Sequence, residues 1–178
     1  TGLGKTFLSA CIARVVAQNG HSVCYDTAAS ALEAFELKKF ARDAETAEKA
    51  ATRVERMLEC ELMILDDLGT EMLTQISISA LYTLINTRLV EGKKTIISTN
   101  LTPEDIGRRY SQQVYSRIEG EYTILPFIGT DIRQLKRQRG EKRNRKQAHG
   151  DDYERFLKAL FLSFAHSLLV HRAGFRHG

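Results

Sequence analysis

The stretch T-G-L-G-K-T at residues 1–6 decides the fold class, because it matches the second half of the phosphate-binding loop G-x-x-x-x-G-K-[ST]. Glycines in such a loop let successive backbone N–H groups face a phosphate, and the helix that follows adds the positive end of its dipole. The first glycine of the motif and its preceding strand would lie before Thr1. We therefore expect a fragment that lacks the first strand of its sheet.

Two side chains of this loop carry chemistry. Lys5 is a flexible point charge that can reach the β- and γ-phosphates of a nucleotide, and the Thr6 hydroxyl is an oxygen ligand for Mg²⁺. The apolar run that follows Thr6 predicts a helix, which Asn19 and Gly20 end. A chance G-K-T at a turn is the competing interpretation of half a motif, so the rest of the chain has to decide.

Short apolar runs alternate with helical segments further along the chain. Predicted strands lie at 22–26, 62–67, 95–100 and 122–125. Predicted helices lie at 30–59 (one or two helices), from Ser77 or Ser79 to Gly92, from Thr102 and Pro103 onward, and at 111–119. Continuous apolar runs such as 62–65 are typical of strands buried on both faces, so the strands at 62–67 and 95–100 are predicted to be buried. This order favours an α/β fold with a parallel sheet flanked by helices.

Polar side chains follow two of the predicted strands. Asp66 and Asp67 end the second apolar run, and Asn100 ends the third. Because parallel sheets bind ligands at the carboxyl ends of their strands, Asp66 is a candidate to hold Mg²⁺, directly or through water, together with Thr6, and Asp67 is a candidate to polarise an attacking water. Asn100 is a candidate to contact a γ-phosphate or hold that water. A strand-end turn is the competing interpretation of the two acids, which the upstream G-L-G-K-T makes the weaker one, and a turn before Leu-Thr-Pro is the competing interpretation of the asparagine.

Longer segments resemble the AAA+ ATPases of the DnaC/DnaI helicase-loader group, which share a domain with the IstB transposition helpers. Two of the matching segments are L-M-I-L-D-D-L-G-T-E at 62–71 and K-K-T-I-I-S-T-N-L-T-P-E-D-I at 93–106, in which L-D-D-L-G-T-E and I-I-S-T-N-L are the specific parts. The resemblance continues, in the expected order, through T-G-L-G-K-T-F-L-S (1–9), Y-D-T-A (25–28), L-Y-T-L-I-N-T-R-L (81–89), R-R-Y (108–110), S-R-I-E-G-E-Y (116–122) and L-P-F-I-G-T-D-I-R-Q-L-K (125–136).

This resemblance implies a P-loop NTPase fold of the AAA+ type and a role for each matching residue. Asp66 and Asp67 look like the Walker B pair, and Asn100 looks like sensor 1. Arg117 matches the arginine finger that reaches a neighbouring subunit's nucleotide. Arg108 and Arg109 are weaker candidates for that role. The alternative is that Arg117 is a surface arginine without a role at the nucleotide. The implied nucleotide contacts are Thr1, Gly2, Leu3, Gly4, Lys5, Thr6, Phe7 and, as sensor 2, Arg133.

The implied function is that of a DNA replication protein, a Mg²⁺-dependent ATPase that binds ATP and loads the replicative helicase onto single-stranded DNA. Self-association through the Arg117 interface would then complete each catalytic site. Two alternatives stay open. One is an IstB-like transposition helper with the same ATPase chemistry and a different partner. The other is a degenerate nucleotide-binding module that does not hydrolyse ATP.

Charge and cysteine content bound the remaining possibilities. The net charge of +4 conceals a basic run at 133–146 with a net charge of +7, which either tracks a nucleic-acid backbone or forms a solvated tail. We divide the chain into an ATP-binding core at 1–138 and a segment of unclear role at 139–178. The apolar stretch 156–170 is too short to span a bilayer and is either a partner-binding or interfacial helix or readthrough sequence.

Three cysteines without metal-ligand spacing indicate buried, reduced thiols in a cytoplasmic protein without a membrane partner.

Overall fold

The computed structural model describes residues 3–127, in which one or two helices separate successive strands. The strands are β1 (Val23–Thr27), β2 (Leu62–Leu68) and β3 (Lys94–Thr99). The helices are α1 (Lys5–Gln18), α2 (Ala28–Phe40), α3 (Ala44–Glu59), α4 (Gln75–Val90), α5 (Pro103–Arg109) and α6 (Gln112–Glu121). The predicted α/β class is confirmed.

The sheet of the described residues has three parallel strands in the order β1-β2-β3. The central strand, β2, is buried along its length except at Asp67, because helices cover both of its faces. The third strand was predicted to be buried, yet only Ser98 is fully buried in it, since β3 lies at the edge of this sheet. Each chain connection between neighbouring strands runs through helices, as parallel pairing requires.

The fourth predicted strand, at 122–125, is wrong. Tyr122 is the residue that ends α6, where its N–H donates to the carbonyl of Ile118, and residues 123–127 form no regular structure. An apolar run becomes a strand only where a partner edge is free to pair with it. Among residues 3–127, no strand pairs with this segment.

The helices pack in two groups around the sheet. Helix α1 contacts all three strands, whereas α2 packs on α3 and α4 over the sheet, and α6 packs on α4 and α5. Most of the apolar core lies between these helices and β2, and includes Leu32, Met57, Met63, Leu65, Leu81, Leu84, Ile85 and Val114. Cys60 is buried as predicted, while Cys11 and Cys24 are only partly buried.

The side chains of polar residues cap the N-terminal ends of α4 and α5. Thr102 caps α5 through its side chain, and Pro103 is the first residue of that helix, both as predicted. Helix α4 begins earlier than predicted, because Thr74 is its N-cap. Ser77 instead occupies the third helical position, and its hydroxyl oxygen accepts from the Thr74 N–H, which completes a capping box.

Arg88 on α4 is completely buried and joins three elements. Its Nη1 donates to the carbonyls of Met57 and Cys60 at 2.7 and 2.9 Å, and its Nη2 donates to the carbonyl of Lys94 at 2.6 Å. The first two carbonyls lie at the C-terminal end of α3, and the third belongs to the first residue of β3. The negative end of the α3 dipole therefore faces the buried guanidinium, which otherwise lacks a carboxylate partner among the described residues.

We predict that Arg88→Ala lowers the free energy of unfolding by about 3 kcal/mol or more, because it leaves several buried carbonyls without donors and opens a cavity. Urea titration of the whole chain measures this value. The matched control is Arg108→Ala, which removes an exposed arginine from α5 and is expected to change the value by about 0.5 kcal/mol or less. Equal effects of the two substitutions would contradict the structural role of Arg88.

No helix within residues 3–127 combines the length and the apolar character needed to cross a membrane. The predicted boundary at residue 138, the basic run 133–146 and the apolar stretch 156–170 all lie outside the described residues and stay predictions.

Candidate functional site

The carboxyl ends of β2 and β3 meet the first turn of α1, and this meeting point brings the predicted side chains together. Lys5 Nζ donates to Asn100 Oδ1 at 2.7 Å, although the two residues are 95 positions apart. Thr6 Oγ1 lies 3.4 Å from Asp66 Oδ1. The loop residues and the strand-end polar residues therefore form one cluster, as the parallel topology predicts.

Asp66 is the most enclosed member of this cluster, with 3% of its surface exposed. Ser98 on the neighbouring strand donates to its Oδ1, and Tyr25 on β1 donates to its Oδ2 at 2.9 Å. Burial of the hydroxyl and its hydrogen bond to Asp66 raise the pKa of Tyr25, so the phenol stays protonated and acts as a donor at neutral pH. The carboxylate is thus held at both of its oxygens.

A β-bulge separates the roles of the two acids. The pairing of β2 with β3 shifts between Leu65 and Leu68, so that Asp66 and Asp67 together oppose Ser98. The Asp67 N–H donates to Ser98 Oγ at 3.0 Å, and its backbone has a φ of 55°, the left-handed region that aspartate tolerates better than most residues. The bulge turns Asp66 toward α1 and leaves Asp67 exposed.

The start of α1 has the features of an anion-binding helix terminus. Gly4, at its N-cap, has a φ of 87°, a left-handed conformation that glycine adopts without steric cost. No side chain caps the helix, and its first turn contains no acidic residue. The first backbone N–H groups are therefore not satisfied by side chains, and the helix dipole favours negative charge there. Phe7, which follows, is about half exposed.

The residues present fit a magnesium ion held jointly with a nucleotide. Thr6 and Asp66 supply a hydroxyl and a carboxylate oxygen, which are the donor types that Mg²⁺ prefers. Within the described part of the chain, no three His, Cys, Asp or Glu side chains cluster closely enough to hold a metal by themselves. Mg²⁺ commonly takes one or two protein ligands and completes its shell with water and phosphate oxygens.

The loop after β2 is tied to α5. Glu71 is buried; its carboxylate accepts from the Tyr110 hydroxyl and from the Gly69 N–H, and its carbonyl accepts from Arg109 Nη2 at 2.7 Å. A Cβ at Gly69 would lie 2.8 Å from Leu101, so the loop is also packed closely against the segment that follows β3. These contacts fix the backbone that immediately follows Asp67.

The predicted arginines fall into different environments. Arg117 is exposed on α6 and forms no hydrogen bond or ion pair with another residue of 3–127, and the structure does not bring it to the Lys5–Asp66 cluster. Arg109 is occupied by the Glu71 carbonyl, and Arg108 is exposed and paired with Asp105. Thr1, Gly2 and Arg133 lie outside the described residues, so their nucleotide roles stay predictions.

Sequence reasoning missed three residues of this site. Tyr25 and Ser98 both contact the Asp66 carboxylate, and Glu71 supports the loop after Asp67. The segments Y-D-T-A, I-I-S-T-N and L-G-T-E that contain them resemble helicase loaders, but the resemblance implied no role for these three residues. A sequence pattern could have predicted the role of Ser98: it is a hydroxyl residue in an apolar strand, next to the strand that ends in two acids.

Comparison with solved structures shows a shared fold. A DNA replication initiation factor superposes with a TM-score of 0.61 at 20% identity, over 80% of this chain and 44% of that one. The DnaC helicase loader gives 0.58 at 21% identity, over 71% and 73%, and AMPPCP-bound DnaA from Aquifex aeolicus gives 0.56 at 20% identity, over 81% and 45%. The chain thus spans less than half the length of two of these proteins. The predicted AAA+ type of fold is confirmed.

Comparison with protein families gives a match to one family model. The family described as IstB-like ATP binding protein matches residues 1–116, which include the Lys5 loop, both acids and Asn100. No curated protein gives a significant match. Since the family match covers more than half of the chain, and the residues expected to hold nucleotide converge at one sheet edge, the chain belongs to the IstB-like ATP-binding proteins.

Proposed function

We propose that this protein is a Mg²⁺-dependent ATPase whose nucleotide state controls its binding to a DNA-processing partner. One observation carries the proposal: Lys5 contacts Asn100 while Thr6 contacts Asp66, so that a phosphate-binding loop faces a metal-binding carboxylate and a polar amide. That combination is what hydrolysis of a nucleoside triphosphate needs beyond a phosphate cradle. The family match to ATP-binding proteins supports ATP as the nucleotide.

Each side chain has a role in this proposal. Lys5 neutralises the β- and γ-phosphates, and Thr6 and Asp66 hold Mg²⁺, which when bound screens the charge that develops on the phosphate oxygens. Asp67 is exposed beside this group and orients the attacking water. Asn100 contacts the γ-phosphate or that water. Arg117 acts on the nucleotide of a neighbouring subunit, which implies self-association.

The proposed partner is a replicative helicase, which the protein loads onto single-stranded DNA. Similarity of the segments at 25–28 (Y-D-T-A) and 116–122 (S-R-I-E-G-E-Y) to helicase loaders supports this partner, as does the shared fold with the DnaC helicase loader. A transposition helper is the second candidate, and the family match to IstB-like proteins favours it. A pull-down in the presence of ATP separates the two: retention of the replicative helicase supports the loader, and retention of a transposase alone supports the helper.

We predict that Lys5→Ala raises the dissociation constant for ATP by about 10- to 100-fold, because it removes a charge-assisted contact to phosphate. Titration with a fluorescent ATP analogue in the presence of Mg²⁺ measures the change. Lys38→Ala is the matched control: it removes an equal charge from an exposed position on α2, away from the cluster. If Lys5→Ala bound the analogue as tightly as the wild type, the proposed nucleotide site would be wrong.

A further inference from the structure

Tyr25 lies on β1, the strand next to the one that carries Asp66. Its ring extends toward the carboxyl end of the sheet, where the hydroxyl lies 2.9 Å from Asp66 Oδ2 and 3.4 Å from the backbone carbonyl of Thr6. The hydroxyl therefore touches both of the residues that we propose as metal ligands. Tyr25 as a whole is 38% exposed and does not belong to the apolar core.

The two oxygens of Asp66 are held by different elements. Ser98 and Thr6 are within hydrogen-bonding distance of Oδ1, whereas Tyr25 is the sole donor to Oδ2 among residues 3–127. A carboxylate held at one oxygen can still rotate about its terminal torsion, because that torsion is soft. A donor at the second oxygen removes this freedom and fixes the plane of the carboxylate.

We propose that Tyr25 is a positioning residue for magnesium, in that its hydroxyl fixes the orientation of the Asp66 carboxylate relative to Thr6. This inference rests on the proposed function. Mg²⁺ demands near-ideal octahedral geometry, so the orientation of its few protein ligands matters more than it does for larger cations. Residues that hydrogen-bond to metal ligands typically change metal affinity by about 10- to 100-fold when they are replaced.

The test is Tyr25→Phe, which removes the hydroxyl and keeps the ring. A fluorescent, non-hydrolysable ATP analogue is titrated against the whole chain at a series of free Mg²⁺ concentrations and also in EDTA. We expect the half-saturating Mg²⁺ concentration to rise about tenfold while the affinity in EDTA stays unchanged. Tyr82→Phe is the matched control, since Tyr82 is a half-buried tyrosine on α4 that makes no contact with Asp66, and it should leave both values unchanged.

The possible outcomes separate this inference from the function it rests on. An unchanged Mg²⁺ dependence in Tyr25→Phe overturns the positioning role alone, because the wild-type chain still shows nucleotide binding that Mg²⁺ strengthens. An equal loss of affinity with and without Mg²⁺ also overturns it, since that pattern indicates a general effect on the pocket. If Mg²⁺ does not affect nucleotide binding by the wild-type chain, the proposed metal site fails, and the inference fails with it.

Discussion

Arg117→Ala should bind ATP like the wild type and hydrolyse it more slowly, by at most on the order of 10³-fold. Arg117 is exposed on α6 and has no hydrogen-bond or ion-pair partner among residues 3–127, so its planar charge is free to hold phosphate oxygens from outside its own subunit. A finger acts when charge develops on the γ-phosphate, which is why turnover changes and binding does not. Steady-state hydrolysis, together with titration of a fluorescent nucleotide, measures both quantities.

A mixture of two impaired variants tests whether the finger acts between subunits. Lys5→Ala lacks a working pocket and Arg117→Ala lacks the finger, so an interface between them can pair an intact pocket with an intact finger and partly restore hydrolysis. The wild-type specific activity should also rise with protein concentration. Arg108→Ala is the control, because Arg108 is an exposed arginine on α5 with a local partner in Asp105. If the wild-type rate of hydrolysis does not depend on protein concentration and the mixture shows no rescue, Arg117 is a surface arginine without a role between subunits.

Asp67→Asn should keep ATP binding and slow hydrolysis by about 10²-fold or more, as expected when a group that orients and polarises water loses its charge. The Asp67 carboxylate is exposed beside the Lys5–Asp66 cluster and accepts no hydrogen bond from residues 3–127. Asparagine has the same shape and also tolerates the left-handed backbone at this position, where φ is 55°. The substitution therefore tests the charge and leaves the bulge in place.

Asp66→Asn provides the contrast for this experiment. It should weaken the Mg²⁺ dependence of nucleotide binding, whereas Asp67→Asn should leave that dependence unchanged, because only Asp66 lies within reach of Thr6. Turnover and Mg²⁺-dependent binding, measured on both variants, separate a metal ligand from a water-orienting group. A wild-type turnover in Asp67→Asn would remove Asp67 from the mechanism.

Local signals in the sequence predicted most of the elements. The apolar runs that became β1, β2 and β3, and the Thr102–Pro103 start of α5, were predicted because strand pattern and helix capping depend on neighbours within a few residues. The predicted start of α4 was wrong for a related reason. Several residues near the start of α4 carry a hydroxyl group, and any of them could cap the helix. Thr74 is the one that does, because its backbone is extended and the helix begins at the next residue.

The position of the site was also predictable, since parallel strands end at a common edge and the loop, the two acids and Asn100 all had to meet there. Its detailed geometry was not. It depends on three features: the bulge opposite Ser98, the hydrogen bond from Tyr25 to Asp66, and the hydrogen bonds of the buried Arg88. The residues that these contacts join lie 6 to 41 positions apart in the chain. Such contacts depend on strand register and on how helices pack across the sheet.

The sequence by itself determined which side chains are available for nucleotide chemistry and at which end of the sheet they lie, because those properties follow from residue type and strand order. Only the tertiary structure decided that Asp66 faces α1 while Asp67 faces outward. One extra residue in β2 relative to β3 reverses the alternation of side chains at that point, and no local periodicity records where such a residue is accommodated.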